Sequence, residues 1–218
     1  MALSDWTQYV NQNWSFLINV TTPIISSGTG RLGFAPANSG SSYSNIVVTA
    51  LSGRTKGVTK GKLRTLFRYD VPPSAGTVGA YGLVFMMSNE DINSSGNHYR
   101  VQYNFFTGRF ELMKAIASGP TGGTLLAQGP IFSPGNNVIL GLEVEWIKDI
   151  PELGGVAIFV KYGFETDYSD LTPVITYVDS TAPLLVAVAE SIFTISNYPT
   201  PSGTGWNLDF DQTTMFIP

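Results

Sequence analysis

The chain has 218 residues, of which 13% are charged and 43% hydrophobic, with no Cys and a single His, His98. These counts exclude a disulfide scaffold, a cysteine zinc site, thiol catalysis and paired-histidine chemistry, and so apolar a chain is not disordered as a whole. The net charge of −4 is unevenly placed: residues 1–69 hold seven basic residues against Asp5 alone, and residues 70–218 hold five against fifteen acids.

The first twenty residues have no basic start and no long apolar run, so a signal peptide is not expected. No stretch reaches the ~18 apolar residues that a membrane-spanning helix needs. Synthesis in a cytoplasm is the expectation. Asp5 is placed to cap a short helix carrying Trp6, Val10 and Trp14 at a spacing of four. Residues 1–45 otherwise lack a clear pattern and are read as a contact-making N-terminal arm with the first strands. Residues 46–218 are read as a β-sandwich, and no linker separates a second domain.

Beyond the arm, apolar residues recur at every second position, the period of a half-buried strand. From Lys62 to Val71, one face takes Leu63, Thr65, Phe67, Tyr69 and Val71, and Pro72-Pro73 ends the strand. Tyr81 to Met87 is apolar on both faces, which suits a central strand. A polar loop, Ser88 to Asn97, follows. Tyr99–Phe105 and Phe110–Lys114 form a hairpin around Phe106-Thr107-Gly108. After a turn at Gly119–Gly123 come Leu125–Gln128, then Val138–Ile147, then a turn at Leu153-Gly154-Gly155 and the returning strand Val156–Tyr162. Further strands are expected at Val174–Val178, Leu184–Ala189, Ser191–Ile195 and Trp206–Phe210. The whole is an all-β, two-sheet antiparallel sandwich of jelly-roll type.

The succession Tyr99–Phe105, Thr107-Gly108, Arg109–Lys114, Leu125–Ala127, then a strand ending in Trp146 and its partner Val156–Tyr162, resembles the concanavalin A-like lectin/glucanase and laminin G-like jelly rolls. The likeness covers about residues 62–216 and carries no diagnostic motif. The absence of Cys, the few charges and the abundance of Gly, Ser, Thr and Asn also resemble tailed-phage virion proteins.

Glycosidases of the resembled fold carry carboxylates four apart on one strand. Glu143 and Glu145 are two apart, with Ile147 where the partner of Glu143 belongs. They are therefore expected to be solvated on an outward face. No Gly-x-Ser-x-Gly motif accompanies His98, which reads as a loop residue. No enzymatic activity is expected. The resemblance to laminin G-like domains implies at most a rim calcium ion, with Asp209, Asp211, Glu90 and Asp91 as oxygen donors.

Glycan binding would use the loop residues Asn93, Asn97, His98, Tyr168 and Tyr198. The basic run Arg54, Lys56, Lys60, Lys62, Arg64 and Arg68 reads as a subunit-contact surface, or else as a lysine-guarded sheet edge. The pI of about 4.9 and the scarcity of aromatics in that run argue against a nucleic-acid partner.

The functional expectation is a non-enzymatic virion structural protein, a capsid decoration (cement) or tail-associated subunit. Its partners would be major capsid or tail proteins and further copies of itself, without nucleic acid or membrane. The alternative is a lectin-like carbohydrate-binding module, free or virion-attached, that meets a cell-surface glycan.

Overall fold

The computed structural model describes residues 7–10, 14–18, 24–26, 31–34, 42–49, 59–69, 79–88, 97–116, 123–135, 138–148, 154–164, 171–185, 189–197 and 208–217. Among them every regular element is a strand. The first five are β1 (Thr7–Val10), β2 (Trp14–Ile18), β3 (Ile24–Ser26), β4 (Arg31–Phe34) and β5 (Ser42–Thr49). Next come β6 (Lys60–Tyr69), β7 (Gly79–Met87), β8 (His98–Asn104), β9 (Arg109–Ala115) and β10 (Thr124–Ile131). The last five are β11 (Leu140–Lys148), β12 (Val156–Gly163), β13 (Ile175–Asp179), β14 (Ala189–Asn197) and β15 (Leu208–Ile217).

Two antiparallel sheets result. One runs β13-β12-β11-β6-β15-β4-β3, with β1 also on β15, and the other runs β10-β9-β8-β7-β14-β5-β2. The fold is the expected two-sheet jelly roll. Strands β6 to β13, consecutive in the chain, supply four neighbouring strands of each sheet. Strand β15 joins the strands β1, β3 and β4 to one sheet, and β14 joins β2 and β5 to the other.

The expected N-terminal helix does not form. Thr7–Val10 pairs with β15 and Trp14–Ile18 pairs with β5. Thr, Tyr, Val, Phe and Ile fit a pleated surface better than a helix turn, and sheet partners override a spacing of four. The expected boundary between residues 45 and 46 falls inside β5. The apolar run after Pro183 is not one strand: residues 183–185 lie outside the strands and β14 begins at Ala189. The last strand begins at Leu208, two residues after Trp206.

Between the sheets lie the alternating residues read from the sequence. Leu63 and Phe67 face Leu140, Leu142, Val144 and Trp146 within one sheet, and Tyr99, Val101, Tyr103, Phe110 and Leu112 come from the other. Phe85 stacks between Tyr99 (5.7 Å) and Trp146 (5.4 Å), so one aromatic column links the layers. The close approach requires Gly61, because a Cβ there would fall inside the Trp146 indole.

The charge asymmetry of the sequence closes on itself. Strand β6, basic throughout, lies between β11 and β15. Arg64 is opposite Glu143, Lys62 opposite Glu145, and Arg68 opposite Asp209 in the registers.

Candidate functional site

Each candidate residue is placed as follows. Arg54, Lys56, Glu90, Asp91, Asn93, Tyr168 and Tyr198 lie outside the described residues. Arg68, Asp209 and Asp211 are on paired strands, where the backbone alone is described. Asn97 is half-buried, and its amide donates to Ser88 Oγ at 2.9 Å. Among the described residues no three His, Asp or Glu side chains come together as a metal site.

Two sequence expectations are corrected. His98 is not a loop residue: it opens β8 and is fully buried, because the strand begins one residue earlier than the Tyr99 alternation suggests. Glu143 is not solvated but only 1% exposed. Cross-strand pairing supplies its counter-charges: Arg64 Nε donates to Oε2, and Lys161 and Lys62 reach Oε1 at 3.4 and 3.8 Å. Lys62 also bridges to Glu145 at 3.0 Å. Lys62 and Arg64 are thus already engaged within the chain. Arg64 further lies over the Phe216 ring, 4.8 Å from its centroid.

A second polar network covers the outward side of β8 and β9. Glu111 accepts from Gln102 Nε2 at 2.9 Å, from Asn104 Nδ2 at 3.1 Å and from Thr107 Oγ1 at 3.0 Å. Arg100, in the same outward row, is 1% exposed; burial lowers its pKa to about 10, with Glu111 acting in the opposite direction. Gln102, Asn104, Thr107 and Glu111 are occupied with one another; Arg100, Gln102 and Glu111 are buried, and Asn104 and Thr107 half-buried.

Among the described residues an open site lies elsewhere, at the side of the sandwich where the edge strands β10 and β13 part. A cavity of about 540 Å³ is lined there by Lys114, Ile116, Gly123, Thr124, Leu126, Tyr177, Asp179, Thr181 and Ala182. Its size falls in the range of roughly 300–1,000 Å³ usual for small-molecule sites. Local sequence explains each wall. In β10, Leu125 pairs with Met113 and Ala127 with Leu112, leaving Leu126 as the extra residue of a β-bulge that faces the cavity. In β13, Ile175, Tyr177 and Asp179 pair with Val160, Ile158 and Val156, which places all three on the inward face. Gly123, at φ 136°, brings β10 against the Lys114 carbonyl, where a Cβ would stand 3.0 Å away.

The floor is a closed polar brace. Lys114 Nζ donates to Asp179 Oδ2 at 2.6 Å and to the carbonyls of Thr181 and Ala182 at 2.9 and 2.7 Å. Tyr99 OH donates to Asp179 Oδ2 at 2.6 Å and accepts from the Leu184 amide at 3.0 Å. The Thr181 amide caps Asp179 Oδ1 at 3.2 Å. Burial, then the hydrogen bond to Asp179, push the Tyr99 phenol well above its ordinary range, so it stays neutral. Lys148 completes the brace from β11 by donating to Leu185 O at 3.2 Å. Four inward side chains, Tyr99, Lys114, Lys148 and Asp179, thereby pin the segment 181–185, in which Ala182 has φ 50°. The apolar and hydroxyl groups at the mouth stay accessible: Ile116 is 55% exposed, Thr124 and Thr181 are exposed, and Leu126 and Tyr177 are half-buried.

Sequence reasoning missed this site. Tyr177 and Leu126 look like core residues of short strands. Neither the bulge nor the separation of the two edges has a sequence signature.

No protein-family model matches the chain, and no curated protein is significantly similar to it. Solved structures are similar in fold. An alginate lyase from Aplysia kurodai superposes with a TM-score of 0.61 at 12% identity, over 86% of this chain and 83% of that one. A legume lectin-like domain from Entamoeba histolytica gives 0.53 at 12%, over 94% and 90%. The carbohydrate-binding module CBM66 from Bacillus subtilis gives 0.50 at 14%, over 94% and 91%. The chain therefore shares the concanavalin A-like jelly roll of lectin and carbohydrate-binding domains.

Proposed function

We propose that this chain is a carbohydrate-binding module whose glycan occupies the cavity between β10 and β13. The observation that carries the reading is the composition of that cavity. One aromatic ring (Tyr177) and two aliphatic side chains (Ile116, Leu126) offer an apolar wall for the C–H face of a sugar. The hydroxyls of Thr124 and Thr181 stand beside them for the sugar's own hydroxyls. Of the three similar structures named above, one is a carbohydrate-binding module and one a legume lectin-like domain, which supports the ligand class. The third is a lyase, but a lyase or hydrolase requires an acid or base free to reach its substrate. The ionisable groups at this floor direct their protons and lone pairs at one another. Virion decoration finds no counterpart in those three structures.

The test is binding of immobilised oligosaccharides by the purified chain and by Tyr177→Ala. The expected result is a glycan hit for the native chain and loss of most of its affinity in the variant, which is checked to be folded at the assay temperature by its melting curve, since Tyr177 also packs against the core. Equal binding by both proteins would remove the cavity from the argument.

A further inference from the structure

We infer that the cavity selects neutral saccharides and rejects those bearing carboxylate or sulfate groups; the inference rests on the glycan-binding reading above. Among the described lining residues Lys114 is the one cation. Its ammonium has three protons, and all three have acceptors within 2.6–2.9 Å: Asp179 Oδ2, Thr181 O and Ala182 O. No donor remains on it for a ligand anion, and Asp179 cancels its charge. Lys148, on the facing sheet in the cross-strand row of Val156 and Asp179, is 7% exposed and donates to Leu185 O. Tyr99 donates to Asp179 and accepts from Leu184.

An anionic sugar entering this space would leave part of its water shell and meet no unspent positive charge. The two formal charges that line the space, Lys114 and Asp179, are buried and paired with each other. A neutral sugar loses only hydroxyl solvation, which Thr124 and Thr181 can replace. Selection here is by the absence of an available counter-charge, so affinity should be insensitive to salt.

The experiment uses the full chain on an array of neutral oligosaccharides printed beside their C6-oxidised uronate and their sulfated forms. Hits are then titrated by calorimetry at low salt and at ~0.5 M salt. The expected result is neutral hits that bind roughly tenfold or more tighter than their anionic forms, without salt dependence. Thr124→Lys, which adds an unpaired cation at the exposed lip, is expected to narrow that gap and to introduce salt dependence. Anionic forms that bind the native chain as well as the neutral ones, or better, would overturn this inference and leave glycan binding standing. Absence of any hit would overturn the reading beneath it, and this inference with it. A Thr124→Lys protein with the native preference, folded by its melting curve, would show that charge availability does not set the selectivity.

Discussion

Tyr99 and Lys114, neighbours across the β8–β9 ladder, donate to the same oxygen, Asp179 Oδ2, each at 2.6 Å. A single carboxylate on the opposite sheet thus accepts one hydrogen bond from a neutral phenol and one from an ammonium. The two sheets are tied at their parted edge by hydrogen bonds to charge, which contribute about 1.5–3 kcal/mol each.

The first prediction concerns base. Tyr99 has its folded pKa raised above 10, and Tyr162 is raised in the same direction by burial. A raised phenol contributes stability that is complete below pH 10, and this is lost as pH climbs from there toward the folded value, because the unfolded chain ionises first. Arg100 acts in the opposite sense between pH 10 and its ordinary 12.5, but equally in the native chain and in a Tyr99 variant. Tyr99→Phe is therefore expected to be less stable at neutral pH and to lose less stability above pH 10. Chemical denaturation at several pH values reads this directly; parallel curves would show that Tyr99 ionises freely.

The second prediction follows the Leu184 amide, which donates to Tyr99 OH. Removing that acceptor frees the pinned segment at one end. In Tyr99→Phe, amide exchange at Leu184 should quicken by roughly an order of magnitude or more while exchange on β11 and β12 is little changed. Uniform acceleration would mean global destabilisation instead.

The third prediction concerns Gly61. Its Cα lies under the Trp146 indole, so Gly61→Ala must displace the ring or the strand, at a cost of about 1–3 kcal/mol. Combining it with Trp146→Phe should cost less than the sum of the single changes, since the clash disappears with the larger ring. Additive losses in a denaturant double-mutant cycle would place the strain elsewhere.

The fourth prediction concerns Glu143. Glu143→Gln leaves Arg64, Lys62 and Lys161 facing a neutral group in a largely buried place, and is expected to cost about 3–5 kcal/mol. Lys161→Met, at the more exposed end of the cluster, should cost no more than about 1 kcal/mol. Similar losses for both variants in urea melts would show the cluster to be looser than its geometry.

The strands were legible wherever one face is dry. Leu63, Thr65 and Phe67, and Leu140 to Trp146, alternate because a two-residue repeat is the only pattern that puts all of them between two sheets. Alternation gave Glu143 its face but not its burial, and it left His98 in a loop although His98 opens β8 and is buried. Burial there depends on which strand lies alongside, and β6 is separated from β11 by over seventy residues. The cavity was illegible for the same reason. It arises from an unpaired Leu126 and from the distance between two edges, neither of which is a local property of the chain.

Because β14 and β15 stand between the early strands and the β6–β13 unit, the described strand ladders join the beginning of the chain to its middle through its last two strands. During synthesis, β6 to β13 can assemble from the ribosome as they emerge. Strands β2 and β5, and β3 and β4, can pair with each other early, but their edges toward β14 and β15, and all of β1, must wait until nearly the whole polypeptide has been made. Such late, long-range closure slows folding and exposes the waiting strands to mispairing. Truncation after Leu185, beyond the segment that closes the cavity floor, is expected to leave a smaller sandwich with two open central edges, and with its cavity at the far side intact.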